Sequence, residues 1–481
     1  MGSRKGQKEM SKYRWKVMPL FLAAALALSA CGSSMKETGA KGQESDRTVE
    51  EAENKDGAGE AQPANEDGLT KETAEEEAQA PEGDIEAEDQ EESKTPAAEK
   101  EKKSEIVIPD ISMEQRDIPD LEAMEFVKNM KAGWNLGNTL DAFTGNGNAG
   151  LSSEQSWGMV PTTNEIVAAI KEGGFETIRI PVTWHNHLEK EAGSDSFSID
   201  SKWLERVREV VDYGINNDLY VIINIHHDTG KSAYYPDSAH YEQSEQYIRT
   251  VWETVSEQFK DYDEHLIFES MNEPRLMGTP YEWNFQENVE ECKDSIDCIN
   301  KLNQVFVDTV RASGGKNADR YLMVPGYSAS LAGEDTDLFL LPTDSAENKL
   351  IVSAHAYTPY NFALQPKTEG GSTDSFPAQA GAGRLEIDSL MNKLYQRFVS
   401  QGIPVVIGEY GAMNKNDNLQ DRVNYYAYYV AAARARGITC CIWDNGLFGG
   451  DGELFGLYDR QAGEWGYPEI VDAVMKYAWN D

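Results

Sequence analysis

The chain has 481 residues, with 83 Asp plus Glu against 44 Lys plus Arg and a formal charge of -39. An acidic excess of that size excludes nucleic acid as a partner, because holding a phosphate backbone takes clustered Lys and Arg. The length admits two or three domains, or one large α/β barrel with an extension.

In chain order, Arg4, Lys5, Lys8, Lys12, Arg14 and Lys16 form a basic flank before the apolar run 17–28. That run falls short of the roughly 20 residues of a membrane-spanning helix, so residues 1–30 read as a signal peptide. Its end, Leu28-Ser29-Ala30-Cys31, resembles a bacterial lipobox. The resemblance implies cleavage before Cys31, acylation of its thiol and anchoring on the extracellular face of a bacterial membrane. Several acyl chains on one cysteine make such an anchor stable, each buried methylene contributing about 0.8 kcal/mol.

Residues 33–105 carry 24 acidic and 9 basic side chains and no aromatic. Their only large apolar residues are Met35, Val49, Leu69 and Ile85. Such a stretch buries too little surface to offset its ordering entropy, so residues 31–105 are expected to be a disordered tether extended by self-repulsion. From Ile106 to the C-terminus the pattern is that of a folded domain, expected to be a monomer.

Eight short β-rich apolar runs punctuate that domain, at 132–138, 177–182, 219–225, 266–271, 321–325, 350–356, 404–409 and 439–443. Helical spacings lie between them. Trp203, Val207, Val210 and Val211 recur at threes and fours, and Leu390, Leu394 and Phe398 do the same before a Gly402 suited to end a helix. Strand and helix alternating eight times predict an α/β fold of the (β/α)8 TIM-barrel type. An open doubly wound sheet is the alternative, but Asn135-Leu-Gly-Asn-Thr139 lacks the glycine spacing of its phosphate turn. Of the remaining cysteines, Cys440 and Cys441 are expected to be buried thiols on opposite faces of one strand. Cys292 and Cys298 would pair only if their segment folds back. No His and Cys cluster has metal-site spacing, and neither metal nor cofactor is expected.

Polar and aromatic side chains gather at the strand ends: Asn138, Arg179, His226, His227, Asn272, Glu273, His355, Tyr357, Glu409 and Trp443. In a barrel these ends converge on one face, so residues far apart in the chain share a pocket there. Two carboxylates in one pocket, Glu273 and Glu409, point to acid/base or glycosidic chemistry. Arg179 and Tyr357 suit Glu409 as partners that keep it ionised, while a neighbouring negative charge would keep Glu273 protonated. Asn272 can hold a sugar hydroxyl, and Trp443 can stack on a sugar face. Trp157 and Trp283 are further candidate sugar platforms, and His185 and His187 candidate sugar contacts. Trp134, Trp203 and Trp252 read as packing.

Several of these segments resemble glycoside hydrolase family 5. They are Gly133-Trp-Asn-Leu-Gly-Asn-Thr-Leu-Asp141, Ile178-Arg-Ile-Pro-Val-Thr-Trp184, Ile223-Asn-Ile-His-His227, Met271-Asn-Glu-Pro274, His355-Ala-Tyr-Thr-Pro359, Ile407-Gly-Glu-Tyr-Gly411 and Trp443-Asp-Asn-Gly446. Within the family the chain is most similar to subfamily four, endo-β-1,4-glucanases and xyloglucanases. The resemblance implies a retaining endo-β-1,4-glucanase acting on cellulose, mixed-linkage glucan or xyloglucan. Glu273 would be the acid/base and Glu409 the nucleophile. Arg179, His226, Asn272, His355, Tyr357 and Trp443 would surround the sugar at the cleavage point. The chain departs from the family after Trp157-Gly, where relatives often carry Asn-Pro. A xyloglucan-specific endoglucanase, lichenase, xylanase or mannanase on the same scaffold, or a non-catalytic surface glycan-binding lipoprotein, are the competing readings.

Overall fold

The computed structural model describes residues 105–145, 150–190 and 196–478. The expected signal peptide, Cys31 and the acidic tether up to residue 104 lie outside the described residues. The described residues belong to one compact unit.

Eight parallel strands close into a barrel: β1 (Ala132–Asn135), β2 (Thr177–Ile180), β3 (Tyr220–Asn224), β4 (Leu266–Glu269), β5 (Leu322–Pro325), β6 (Leu350–His355), β7 (Val405–Tyr410) and β8 (Thr439–Ile442). Each is hydrogen-bonded to its neighbours in chain order, and β1 pairs with both β2 and β8 to complete the ring. All eight lie on the predicted apolar runs. Most end before their run does, because the chain turns into loops rich in Asn, His and Asp.

The principal helices are α1 (Glu122–Asn129), α2 (Asn164–Glu172), α3 (Ser201–Asn216), α4 (Tyr241–Phe259), α5 (Glu290–Ala312), α6 (Ala382–Arg397), α7 (Leu419–Arg434) and α8 (Pro468–Ala478). In α3 the buried positions are Trp203, Val207, Val210, Val211 and Gly214, one stripe at helical spacing. Asp200 starts it by accepting from the Lys202 N–H. Gly214 lets the helix approach β3, since a Cβ there would lie 2.5 Å from Val221 Cγ2. Gly402 adopts φ 83° after α6 and a short 3-10 turn, as its position predicts.

The barrel interior is layered. At the N-terminal end of the strands, Ile222, Ile267, Met323, Ile351, Val406 and Cys441 point inward, and Ala123, Phe126 and Val127 of α1, with Met130 just after it, seal them. Phe126 stacks on Tyr321 at 3.7 Å. Cys441 belongs to this inner cluster while Cys440 packs outward against the helices, the opposite faces expected of them. Cys292 and Cys298 are free thiols on the one helix α5. Six residues of helix separate them by about 9 Å of rise, too far for a disulfide, and the fold-back never forms.

Outside the strands, Arg320 ties the end of α4 to the start of β4. It is 1% exposed. Its guanidinium donates to the carbonyls of Phe259 (3.0 Å), Tyr262 (2.7 Å), Asp263 (2.9 Å) and Leu266 (2.6 Å), and to Asn317 Oδ1 (2.7 Å). Burial lowers its pKa to about 10, which leaves it charged at neutral pH. The Phe259 carbonyl is one that the end of α4 leaves unmatched, the others belong to the loop and the start of β4, and a charged donor satisfies such groups strongly. Replacing Arg320 by Met is expected to destabilise the domain by about 3 kcal/mol or more, read as a lower midpoint in urea, with folded-state activity unchanged.

Candidate active site

One layer above the apolar plug the barrel interior turns polar, and a single guanidinium organises it. Arg179, on β2, is fully buried. Its Nε donates to Glu269 Oε2 at 2.8 Å, and Nη1 donates to Asn135 Oδ1 at 3.0 Å and Glu409 Oε1 at 2.7 Å. Nη2 donates to Asn272 Oδ1 at 2.7 Å and lies 3.3 Å from His355 Nε2. Burial works against this charge, but Glu269 and Glu409 outweigh it and raise the pKa of Arg179. Glu269 in turn accepts from Asn224 Nδ2 at 2.9 Å and from the Ser353 hydroxyl.

Glu409 reaches this layer through a break in the strand. Outward, Ile407 packs with the helices and Tyr410 stacks on Tyr429 of α7 at 4.5 Å. Strict alternation would send Glu409 out and Gly408 in. The register between β6 and β7 shifts instead between Ala354 and His355, so that Ala354 pairs with Ile407 and His355 with Glu409. This bulge turns Gly408 and Glu409 both inward. Gly408 keeps this approach close, since a Cβ would stand 3.1 Å from His355 Nε2 and press on the ring. Tyr357 donates to Glu409 Oε2 at 3.0 Å, so each oxygen of Glu409 accepts from a different donor.

Glu273 sits beyond the end of β4. Its Oε1 is 2.9 Å from His355 Nδ1, and His355 Nδ1 is 3.8 Å from Glu409 Oε1. A guanidinium only donates, so when His355 is neutral its Nε2 accepts from Arg179 and Nδ1–H donates to Glu273, and a second proton on the ring gives up the contact with Arg179. Carboxylate oxygens of Glu273 and Glu409 and a ring nitrogen of His355 all lie within 4.8 Å of one another. Burial pushes the Glu273 pKa up, but the hydrogen bond and charge of His355, then Arg275 and Arg179, bring it below its ordinary value. The expectation that a neighbouring negative charge holds a proton on Glu273 is therefore not met here: cationic groups face it more closely. Burial opposes charge on His355 as well, yet Glu409 and Glu273 raise its pKa. His355 thus holds a second proton more firmly than a free imidazole does, and it shares that proton with Glu273 as one titrating pair.

The other predicted residues line the same face. His226 accepts at Nδ1 from Asn224 Nδ2 (3.1 Å), leaving Nε2 3.9 Å from Glu409 Oε1. Its ring is parallel to that of Trp443 at 6.0 Å. Trp443 is 8% exposed and rests on the backbone of Gly137, next to Asn138. His227 lies edge-on to His226 and close to Trp157, whose indole N–H donates to the Phe143 carbonyl at 3.1 Å. Burial and the charge of Arg275 bring the His227 pKa down to about 4. Trp283 stands farther out, 49% exposed, with the Arg275 guanidinium 4.0 Å over its ring.

His187 is not part of this face. It is fully buried, stacked on Trp203 at 3.7 Å and hydrogen-bonded to Ser153, so it is a core histidine. His185 leans on Asp228 at 3.2 Å and on Phe143. Besides the glutamate pair with His355, Asp141, His226 and His227 also bring possible metal-ligand atoms within 4.8 Å of one another. The Asp141 carboxylate already accepts from the N–H groups of Asn138 (3.0 Å) and Thr139 (2.7 Å).

Sequence reasoning passed over Glu269, Asn135 and Asn224. Asp444 accepts from Trp134 Nε1 at 2.9 Å and from the N–H groups of Gly446 and Tyr458, which sets the loop after β8. A charged residue inside an apolar strand, as in Leu266-Ile-Phe-Glu269, is the signal that could have found the first of them.

Removing Arg179 leaves two buried carboxylates without their cation. Arg179→Met is expected to cost about 3 to 5 kcal/mol, measured by urea denaturation, and adding Glu269→Gln to recover part of it. A further loss on adding Glu269→Gln would show that the charge pairing is not what holds the layer together.

A family model, cellulase (glycosyl hydrolase family 5), matches residues 140–449. Endoglucanase B of Neocallimastix patriciarum is 41% identical over 362 residues, 74% of this chain and 72% of that protein. The structure of a family 5 lichenase from Caldicellulosiruptor sp. F32 is 53% identical, with a TM-score of 0.76 over 78% of this chain and 100% of that one. A subfamily four broad-specificity endoglucanase from Ruminococcus champanellensis, solved with cellotriose, is 42% identical, with a TM-score of 0.68 over 75% of this chain and 100% of that one. The match begins in the loop after β1 and runs past β8, taking in Arg179, Glu273 and Glu409. The chain belongs to glycosyl hydrolase family 5.

Proposed function

We propose that the protein is a retaining endo-β-1,4-glucanase that cleaves internal bonds of β-glucans, with Glu409 as nucleophile and Glu273 as acid/base. One observation carries the reading: oxygens of the two carboxylates approach within 4.8 Å. Retaining enzymes hold the pair about 5 to 5.5 Å apart, whereas inverting ones need about 6.5 to 9.5 Å to seat a water between them. The family relationship supports the substrate class.

Glu409, held ionised between Arg179 and Tyr357, attacks the anomeric carbon while Glu273 gives its proton to the departing oxygen. Glu273 then takes a proton from water, which releases the sugar from Glu409. The proton for the first step comes from the Glu273–His355 pair. Because the His355 pKa is raised, that proton is kept below the raised value and lost as pH climbs through it.

Glu409→Ala and Glu273→Ala are each expected to lower kcat on barley glucan about 10^3-fold or more. Wild-type kcat/KM should fall on the alkaline side at a pH above about 6.5, a limb that Glu273→Ala abolishes. Nuclear magnetic resonance of the first product should show the β anomer. An α anomer, or glucan binding without cleavage, would rule the reading out, the second in favour of a non-catalytic glycan binder. Rates on cellulose, mixed-linkage glucan, xyloglucan, xylan and mannan define the preferred polymer.

We also infer that Cys31 is lipidated and that the acidic segment after it holds the catalytic domain off the extracellular face of a bacterial membrane. The support is the Leu28-Ser29-Ala30-Cys31 sequence behind a basic flank and a short apolar run. Cys31→Ser should abolish labelling of the cell-bound protein by radioactive palmitate. Undiminished labelling would refute the assignment.

A further inference from the structure

Arg275 follows the Asn272-Glu273-Pro274 turn and reaches back over it. Its Nη1 donates to the Glu273 carbonyl at 2.9 Å and stands 3.7 Å from Glu273 Oε2. The other oxygen, Oε1, is taken by His355. Glu273 is therefore bracketed, one oxygen toward an imidazole and the other toward a guanidinium. The loop itself orients that guanidinium. Arg275 Nε lies 3.4 Å from Glu282 Oε1, Glu282 Oε2 accepts from the Gly278 N–H at 2.9 Å, and the guanidinium lies 4.0 Å over the Trp283 ring. A planar cation held by an aromatic face and a carboxylate loses little freedom when it engages a second carboxylate.

We propose that Arg275 is a positioning residue for the second half of the reaction, holding Glu273 as the carboxylate that takes a proton from the incoming water. The inference rests on the reading of Glu273 as acid/base. In that step the water oxygen bonds to the anomeric carbon and a water proton passes to Glu273. The bond from that carbon to Glu409 breaks, and its electron pair returns to Glu409.

The charges facing Glu273 explain why this step needs a cation. His355 approaches from β6, Arg179 from β2, Tyr357 from the loop after β6, Tyr234 from the loop after β3 and Glu453 from the loop after β8. Glu409 on β7 is a neutral ester once the sugar is attached. Glu453 still opposes a negative Glu273, and Arg275 offsets it. In the first step Glu273 acts as an acid, and a cation beside it gives no help.

The two steps should therefore respond differently. On 2,4-dinitrophenyl β-cellobioside the leaving group needs no proton, so kcat/KM reports attachment of the sugar, and a pre-steady-state burst identifies kcat with its release. For the full chain, Arg275→Met is expected to lower kcat about 10-fold or more with kcat/KM changed by less than about 3-fold, and Arg275→Lys to restore most of kcat. On barley glucan the alkaline limb of kcat/KM should move to higher pH in Arg275→Met, since Glu273 then holds its proton more tightly. Equal losses in kcat and kcat/KM, unchanged kcat, or an unmoved limb would each overturn the proposal. Glu273→Ala on the same substrate separates this from the reading beneath it. If that variant keeps its kcat, the assignment of Glu273 itself fails; if its kcat collapses and recovers with azide, an unselective Arg275→Met result counts against Arg275 alone.

Discussion

The site is built around one buried positive charge. Arg179 has no exposed surface and touches Glu269, Glu409, Asn135, Asn272 and His355 through short, directional hydrogen bonds. Taking a guanidinium and two carboxylates out of water costs several kcal/mol per ion, and the cost is recovered only where the geometry satisfies nearly every donor and acceptor. The network meets that condition: Glu269 is closed by Asn224 and Ser353, and Glu409 by Tyr357. A side chain held from so many directions cannot swing, and neither can the carboxylates attached to it. Preorganisation of this kind lowers the reorganisation needed when charge develops on a substrate.

The rest of the barrel serves that layer. Beneath it lies the apolar plug of Ile222, Ile267, Met323, Ile351, Val406 and Cys441, closed by α1, which keeps water from the lower side of the ion pairs. Above it, His226, His355, Tyr357 and Trp443 present donors and ring faces at the strand ends. Asp444 and Asn224 hold the supports in place, Asp444 by gathering N–H groups of the loop after β8 and Asn224 by aligning the His226 tautomer. The division of labour follows the barrel axis: packing below, charge in the middle, chemistry on top.

Much of this was legible beforehand, and the exceptions have physical causes. Strand runs could be recognised because buried parallel strands are continuously apolar, and the residues at their ends because polar groups stand out there. Cys440 and Cys441 took opposite faces because alternation of side chains is a local property. His187 was misread as a possible sugar contact, since nothing local tells a histidine stacked on Trp203 from one facing a cleft. Glu269 was passed over because its partners, Arg179, Asn224 and Ser353, come from three other strands. The proton balance of Glu273 was also misjudged, since it depends on how close His355 and Arg275 come compared with Glu409.

The residues alone determined the barrel architecture, the family and the short list of side chains able to do chemistry, because these are written in local periodicity and in motifs of adjacent residues. Tertiary structure decided which way those side chains face and what charge they meet. Glu409 shows the difference most plainly: the two-residue period of its strand sends it toward the helices, and register shifts against both neighbouring strands, at His355 and between Cys440 and Ile442, bring it inside. A bulge is a property of two paired strands, so neither strand's sequence states it. The same holds for the approach of Glu273 to Glu409, which arises from ring closure of the barrel rather than from any stretch of chain.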